Sequence, residues 1–312
     1  MALLVGDLGG TRIKAGIIDT RAATVLDQAV FDAHADQTIQ TALERLLETW
    51  AGLRGFDTAT AIGLCLPSIV HQNRVADDRF GKFPGSSKLD IPAWLRDRCG
   101  LPSVLENYAR AAAIGEWKFG AARGVDDVVM MTLGTGIGTS AIINGMPLRG
   151  VNGQAGILGG HIAVGAEGAA CVCGNIGCAE TIVGSRVLHG QARQLPGFGE
   201  SALRDVEAID YAAVFRHADS DELARVLRDR ALDIWATLAV TFVHCYDPTC
   251  LVIGGGIMRS ADVILPHVRS RLARNASTRG NPVKVAAAEL GDAAALFGLA
   301  HLASQHSPDS TS

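Results

Sequence analysis

Short apolar runs punctuated by glycine clusters set the pattern of this chain. The run 2-ALLVG-6 is uninterrupted and predicts a buried strand. In 7-DLGGTRIKAGIID-19, Asp7 closes that strand, Gly9 and Gly10 turn, and Thr11 to Lys14 lead into a returning strand, which together predict a β-hairpin. The same arrangement returns in 127-DVVMMTLGTGIGTSAIING-145, where a strand enters, 134-GTGIG-138 turns and SAIIN comes back. Gly9 and Gly134 stand about 125 residues apart, so one unit occurs twice and two similar domains facing a cleft are expected. Further strands are predicted at 60-TAIGLCLPSIV-70, ending at Pro67, at 102-PSVLEN-107, at 250-CLVIGGGIM-258 with a helix after its glycines, and at 283-VKVAAAEL-290. Ile39, Leu43, Leu46, Leu47 and Trp50 have helical spacing across 37–54. Helices are also expected at 92–99, with Pro92 near the start, at the alanine-rich 109–119, within 201–245 and at 291–303. The stretch 71–92 reads as a polar loop, and the polar tail after Gln305 as disordered.

The turns and the stretch between them carry the candidate chemistry. Backbone N–H groups of a glycine turn form an anion nest, so both turns are candidate phosphate cradles, and Asp7 is placed to hold Mg²⁺ directly or through water. Gly254, Gly255 and Gly256 lie between a strand and a helix, where the adenosine part of a nucleotide fits. The segment 161-HIAVGAEGAACVCGNIGCAETIVG-184 holds His161, Cys171, Cys173 and Cys178. Three thiolates and one imidazole complete a closed tetrahedral shell for a structural Zn²⁺, with Gly174 and Gly177 easing the loop. Such a knot pins His161 and Glu180. The other cysteines, Cys65, Cys99, Cys245 and Cys250, sit in apolar contexts where a thiol acts as a small hydrophobe.

Bulk properties narrow the partners. The 312 residues are enough for two domains, and a net charge of −4 offers no footprint for nucleic acid or a membrane surface. Asp7 and Lys14 interrupt the first apolar run, so it predicts neither a signal peptide nor a membrane span. An odd cysteine count with a metal-like cluster points to a reducing cytoplasm.

These motifs together, 7-DLGGTRIK-14, 106-EN-107, 134-GTGIG-138, His161 with 171-CVCGNIGCAE-180, and 254-GGG-256, resemble the ROK family of carbohydrate kinases and related repressors over almost the whole length. The resemblance implies an α/β fold of two actin-like ATPase (ribonuclease-H-like) domains around a nucleotide and sugar cleft. It implies a small N-terminal domain, residues 1–117, completed by 295–312, and a large domain, 118–294, with the zinc motif. Gly9, Gly10, Thr11 and Lys14 then meet the phosphates of Mg-ATP from the small domain, with Asp7 near the metal. Gly134, Thr135 and Gly136 do so from the large domain, and Gly254, Gly255 and Gly256 lie by the adenosine. Asn107, His161 and Glu180 hold the hydroxyls of a sugar-like substrate. The repressor branch carries an added N-terminal helix-turn-helix, and a chain starting on its first strand is not expected to be one. A homodimer or homotetramer is implied as well.

Three departures fall on the acceptor side. The family pattern E-N-D supplies its general base from the Asp, and that position is Tyr108 here. Many members carry a Glu three residues before the His, where this chain has Leu158. In 82-KFPGSSKLD-90 many carry an Asn for the sugar, and Lys82, Ser86 and Ser87 stand in its neighbourhood. A phenol, with an ordinary pKa of about 10, stays protonated at neutral pH and does not replace a carboxylate. A carboxylate recruited from Asp77, Asp78 or Asp90 is one remedy. The expectation is an ATP-dependent kinase for a sugar or polyol with altered acceptor chemistry; the alternatives are a non-catalytic sensor and a different reaction on the same fold.

Overall fold

The computed structural model describes residues 1–34, 38–79 and 83–306. Lys82 and the end of the tail, on which two of the expectations fall, lie outside them. The chain divides into two compact units: Met1–Gly124 with Pro147–Ile157 and Glu289–Ser312, and Val125–Met146 with Leu158–Ala288.

The first unit runs β1 (Ala2–Leu8), β2 (Arg12–Asp19), β3 (Thr24–Asp32), α1 (Ile39–Ala51), β4 (Ala59–Leu66), β5 (Ile69–His71), β6 (Arg74–Asp77), α2 (Ile91–Cys99), β7 (Ser103–Asn107) and α3 (Tyr108–Phe119). Its sheet has the order β3-β2-β1-β4-β7. β1 is antiparallel to β2, which sets Asp7 opposite Lys14, and parallel to β4, which sets Asp7 opposite Cys65. Alternation divides β1 between two layers. Leu4 and Leu8 join Leu43, Leu46 and Trp50 of α1 in one core, while Leu3 and Val5 join a second on the opposite face. The Trp50 indole N–H donates to the Val5 carbonyl at 3.1 Å, which satisfies its only polar group inside the core. Side-chain caps start α1, α2 and α3: Thr38, Asp90 and Asn107 respectively.

The second unit runs β8 (Val128–Leu133), β9 (Ile137–Ile143), β10 (Met146–Pro147), α4 (Ala179–Val183), α5 (Ser185–Gln194), α6 (Tyr211–His217), α7 (Glu222–Tyr246), β11 (Cys250–Gly254), α8 (Ala261–Asn275) and β12 (Lys284–Ala287). Its sheet, β10-β9-β8-β11-β12, has the pattern of the first: an antiparallel hairpin, then parallel strands beside the hairpin's first member. The last helix, α9 (Ala294–Ser304), belongs to the first unit and packs on α3. That contact is backbone to backbone. A Cβ on Gly298 would lie 1.9 Å from the Ala111 carbonyl oxygen, and one on Gly115 would lie 2.0 Å from that of Ala294.

Three expectations need correction. The stretch 71–92 is not all loop. β5 and β6 form a two-stranded hairpin and Ser86–Lys88 a 3₁₀ turn. Val75 is the one buried residue of β6, too little apolar signal for a strand to be read. The second glycine turn is shorter than 134–138, because β9 already begins at Ile137. After the three glycines a 3₁₀ turn, Gly256–Ser260, comes before the helix. Among the described residues no helix is long and apolar enough to cross a membrane.

Candidate phosphate turns and metal cluster

The first turn closes between β1 and β2. A Cβ on Gly9 would stand 2.7 Å from the Arg12 carbonyl oxygen, so the turn is as tight as its sequence indicated. Asp7 and Lys14, opposite one another in the ladder, bring a carboxylate and an ammonium to its base, with Nζ 3.7 Å from Oδ2. Lys14 also donates to the Asp292 carbonyl at 3.0 Å, just ahead of α9. The Cys65 thiol donates to Asp7 Oδ1 at 3.3 Å. Burial pushes the Asp7 carboxyl above its ordinary value, and the Lys14 charge works against that shift.

The second turn is braced by α4 and α5. The Gly134 amide donates to the Gly136 carbonyl at 3.0 Å, and the amides of Ser185 and Arg186 donate to the carbonyls of Gly134 and Thr135, both at 3.2 Å. Glu180 lies against the turn: Oε2 accepts the Ile137 amide at 2.9 Å, and Oε1 accepts from Arg186 at 2.5 Å. Gly255 adopts φ +95°, and a Cβ there would come 2.2 Å from the Leu133 carbonyl. Gly254 to Gly256 therefore pass beside the end of β8, one residue from Gly134.

The four metal-ligating side chains meet. One donor atom each from His161, Cys171, Cys173 and Cys178 all lie within 4.8 Å of one another. His161 Nδ1 is 3.3 Å from Cys171 Sγ, and Cys173 Sγ is 3.6 Å from Cys178 Sγ. A tetrahedron with Zn–S bonds of about 2.3 Å has S–S edges of about 3.8 Å, so these separations are near those a zinc shell requires. Two short bridges, Ala163 with Cys178 and Ala170 with Ile176, fold the loop back on itself. Burial pushes the Cys178 thiol up to about 12, reinforced by the two neighbouring cysteines, whereas hydrogen bonds, the first from the Asn175 backbone, outweigh burial and lower Cys173. Crowded thiols that cannot all ionise alone are what a divalent cation relieves, so the donor set fits zinc. Burial holds the His161 imidazole below its ordinary value, with the Glu180 charge pulling the other way.

The acceptor-side residues are strongly engaged in local structure. Asn107 is buried; its Oδ1 accepts the Ala109 and Arg110 amides and its Nδ2 donates to the Ser68 carbonyl at 3.0 Å. Tyr108, first residue of α3, is 38% exposed, so its phenol is within reach of solvent. Leu158 is half-buried, ahead of the 3₁₀ turn Gly159–His161. Of the carboxylates considered as substitutes, Asp77 pairs with Arg79, Asp90 pairs with Arg74 and caps α2, and Asp78 accepts from Gly85 and from both donors of Ser87. Ser86 Oγ is buried with no hydrogen-bond partner among the described residues.

Sequence reading missed the arginines. Arg110, fully buried, binds Glu106 at 2.7 Å and the carbonyls of Leu148, Gly153 and Ala155. Arg149 takes the other Glu106 oxygen. The Arg110 pair is four residues apart, but Glu106 lies in β7 and only Arg110 in α3, so the helical i, i+4 rule does not reach it. Glu180 and Arg186 stand six residues apart across the break at Gly184, which matches no helical period.

Two five-stranded sheets of one topology, each with a glycine turn after its first long strand, define the fold of actin-like ATPases. The chain belongs to the ROK family, whose model matches residues 5–306. It is 31% identical to a glucokinase of Thermotoga maritima over 86% of each chain, and 30% identical to a glucokinase of Streptomyces coelicolor over 99% of each. It is also 25% identical to the xylose repressor of Bacillus subtilis, over 78% of this chain and 61% of that protein. Among solved structures, the ROK family glucokinase from Streptomyces griseus in complex with glucose and AMPPNP superposes with a TM-score of 0.81, at 29% identity, over 98% of this chain and 100% of the other.

Proposed function

We propose that this protein is an ATP-dependent kinase for a sugar of the hexose class, with a modified acceptor site. The observation that carries the reading is the pair of glycine turns, one per sheet, each closed by a charged side-chain pair: Asp7 with Lys14 at the first, Glu180 with Arg186 at the second. Gly9, Gly10, Thr11 and Lys14 of the first turn and Gly134, Thr135 and Gly136 of the second bind the phosphates of ATP, while Gly254 to Gly256 accompany the adenosine. Asp7 holds Mg²⁺, which when bound neutralises phosphate charge. Asn107, His161 and Glu180 orient the sugar hydroxyls. His161, Cys171, Cys173 and Cys178 hold a zinc ion that braces the loop carrying His161 and Glu180. The glucokinases among its relatives support the substrate class.

Phosphoryl transfer rests mainly on positioning and charge stabilisation, so a site without a carboxylate base is slowed rather than silenced. Tyr108 in place of that base leaves the acceptor hydroxyl to lose its proton to solvent as the new O–P bond forms and the bond from the terminal phosphorus to the departing ADP oxygen breaks. The same replacement favours a second reading, a sensor that binds sugar and nucleotide without turnover. Release of ADP, measured over a panel of hexoses, amino sugars and cyclitols, separates the two. Sugar-dependent release above the background with ATP alone is expected. Nucleotide binding with no sugar-stimulated release on any panel member supports the sensor instead.

A further inference from the structure

The second turn carries a charge device of its own. Glu180 lies so close that a Cβ on Gly136 would stand 2.2 Å from Oε2, the oxygen that accepts the Ile137 amide. An unbalanced carboxylate there repels any polyphosphate approaching the same backbone N–H groups. Arg186 balances it from the other side, donating to Oε1. The arginine is tethered to the turn rather than merely near it. Its own amide donates to the Thr135 carbonyl, and a Cβ on Gly184, two residues before, would lie 3.2 Å from that same oxygen. Its side chain is 47% exposed and donates to Glu180 through one of its terminal nitrogens. A guanidinium has five N–H donors in a rigid fork, so most of them remain available.

We propose that Arg186 is a phosphate-binding residue of the second turn, cancelling the Glu180 charge and offering its remaining donors to the terminal phosphate of a bound nucleoside triphosphate. This inference rests on the kinase reading. The terminal phosphate is the one selected because, under the kinase reading, Glu180 also holds a sugar hydroxyl, and the phosphate nearest the acceptor is the one to be transferred. An arginine supplied from the same chain at that point is a known solution for charge that builds up during phosphoryl transfer.

The test is the ratio of affinities for a non-hydrolysable ATP analogue and for ADP, each with Mg²⁺, measured by calorimetry on the full chain. Wild type is expected to prefer the triphosphate. Arg186→Ala is expected to lower that preference about tenfold or more, with ADP weakened by the uncovered Glu180 charge but much less than the triphosphate, since hydrogen bonds to charged groups carry effects of that size. Arg186→Lys, which keeps the charge and loses the fork, is expected to fall between. Thermal melting of both variants checks that the turn still folds, and should Arg186→Ala fail to fold, Arg186→Lys carries the comparison. An unchanged ratio in a folded variant overturns the assignment and leaves the kinase reading intact. Equal weakening of both nucleotides also overturns it, because the arginine then only cancels the Glu180 charge and does not distinguish the terminal phosphate. If wild type binds neither nucleotide, the kinase reading itself fails and takes this assignment with it.

Discussion

Under the proposed function, Tyr108 is the residue on which turnover depends most directly. It opens α3 immediately after Asn107 and is partly open to solvent. A neutral phenol accepts a proton poorly at pH 7, so Tyr108→Asp restores a base where the family pattern has one. It is expected to raise sugar-dependent ADP release by about 10²- to 10⁴-fold, the usual range for a general base. No gain, with nucleotide binding intact, speaks for the sensor reading. A second prediction concerns Glu106, buried between Arg110 and Arg149. Removing a buried partner strands a charge, whereas removing a half-exposed one does not. Arg110→Leu is therefore expected to cost about 3 kcal/mol in urea unfolding and Arg149→Leu about 1 kcal/mol or less. Adding Glu106→Gln to Arg110→Leu is expected to restore part of the loss. A double variant less stable than the single one contradicts the stranded-charge account.

At the scale of elements, the decisive piece is the loop from His161 to Glu180. Its ligand spacing was legible from the chain alone, because close-set cysteines with glycines and a histidine have few other physical uses. The glycine hairpins were legible for a similar reason: apolar runs flanking glycines leave little choice of local geometry. What stayed hidden was whatever depends on partners distant in sequence or on solvent-facing strands. β3 is partly exposed throughout and β6 buries only Val75, so neither carries a clean apolar signature. The Glu180–Arg186 pair forms only because the chain turns at Gly184 between two short helices. Metal content tests the loop. About one zinc per chain is expected by mass spectrometry of the purified protein. Cys173→Ser, or dialysis against a strong chelator, is expected to lower the metal content and the melting temperature together. Under the proposed function, either change also weakens sugar binding about 10- to 100-fold, because the loop that loses its brace carries His161 and Glu180. A chain with full stability and no bound metal contradicts the zinc assignment.

At the scale of the whole molecule, two units with their own sheets invite the question of how independently they hold together. The first unit is completed by a helix from the far end of the chain. α9 supplies Leu296, Leu299 and Ala300 to a core shared with Leu3 and Val5 of β1, and its Gly298 meets the backbone of α3 with no room for a side chain. Gly63 of β4 is under the same constraint, since a Cβ there would lie 2.7 Å from the Leu299 carbonyl. Such contacts are rigid on both sides, and an added methyl is absorbed only by separating the elements. Gly298→Ala is accordingly expected to cost about 2–3 kcal/mol, despite alanine's better helix propensity, which favours the variant by about 1 kcal/mol. Hydrogen exchange locates the loss. Protection is expected to fall in β1, β4 and α3, while β8 and β11 keep theirs, because the damage lies in the core that α9 closes. Equal loss of protection in both sheets is the contrary result, and it makes the molecule one cooperative unit in which the last helix stabilises every strand.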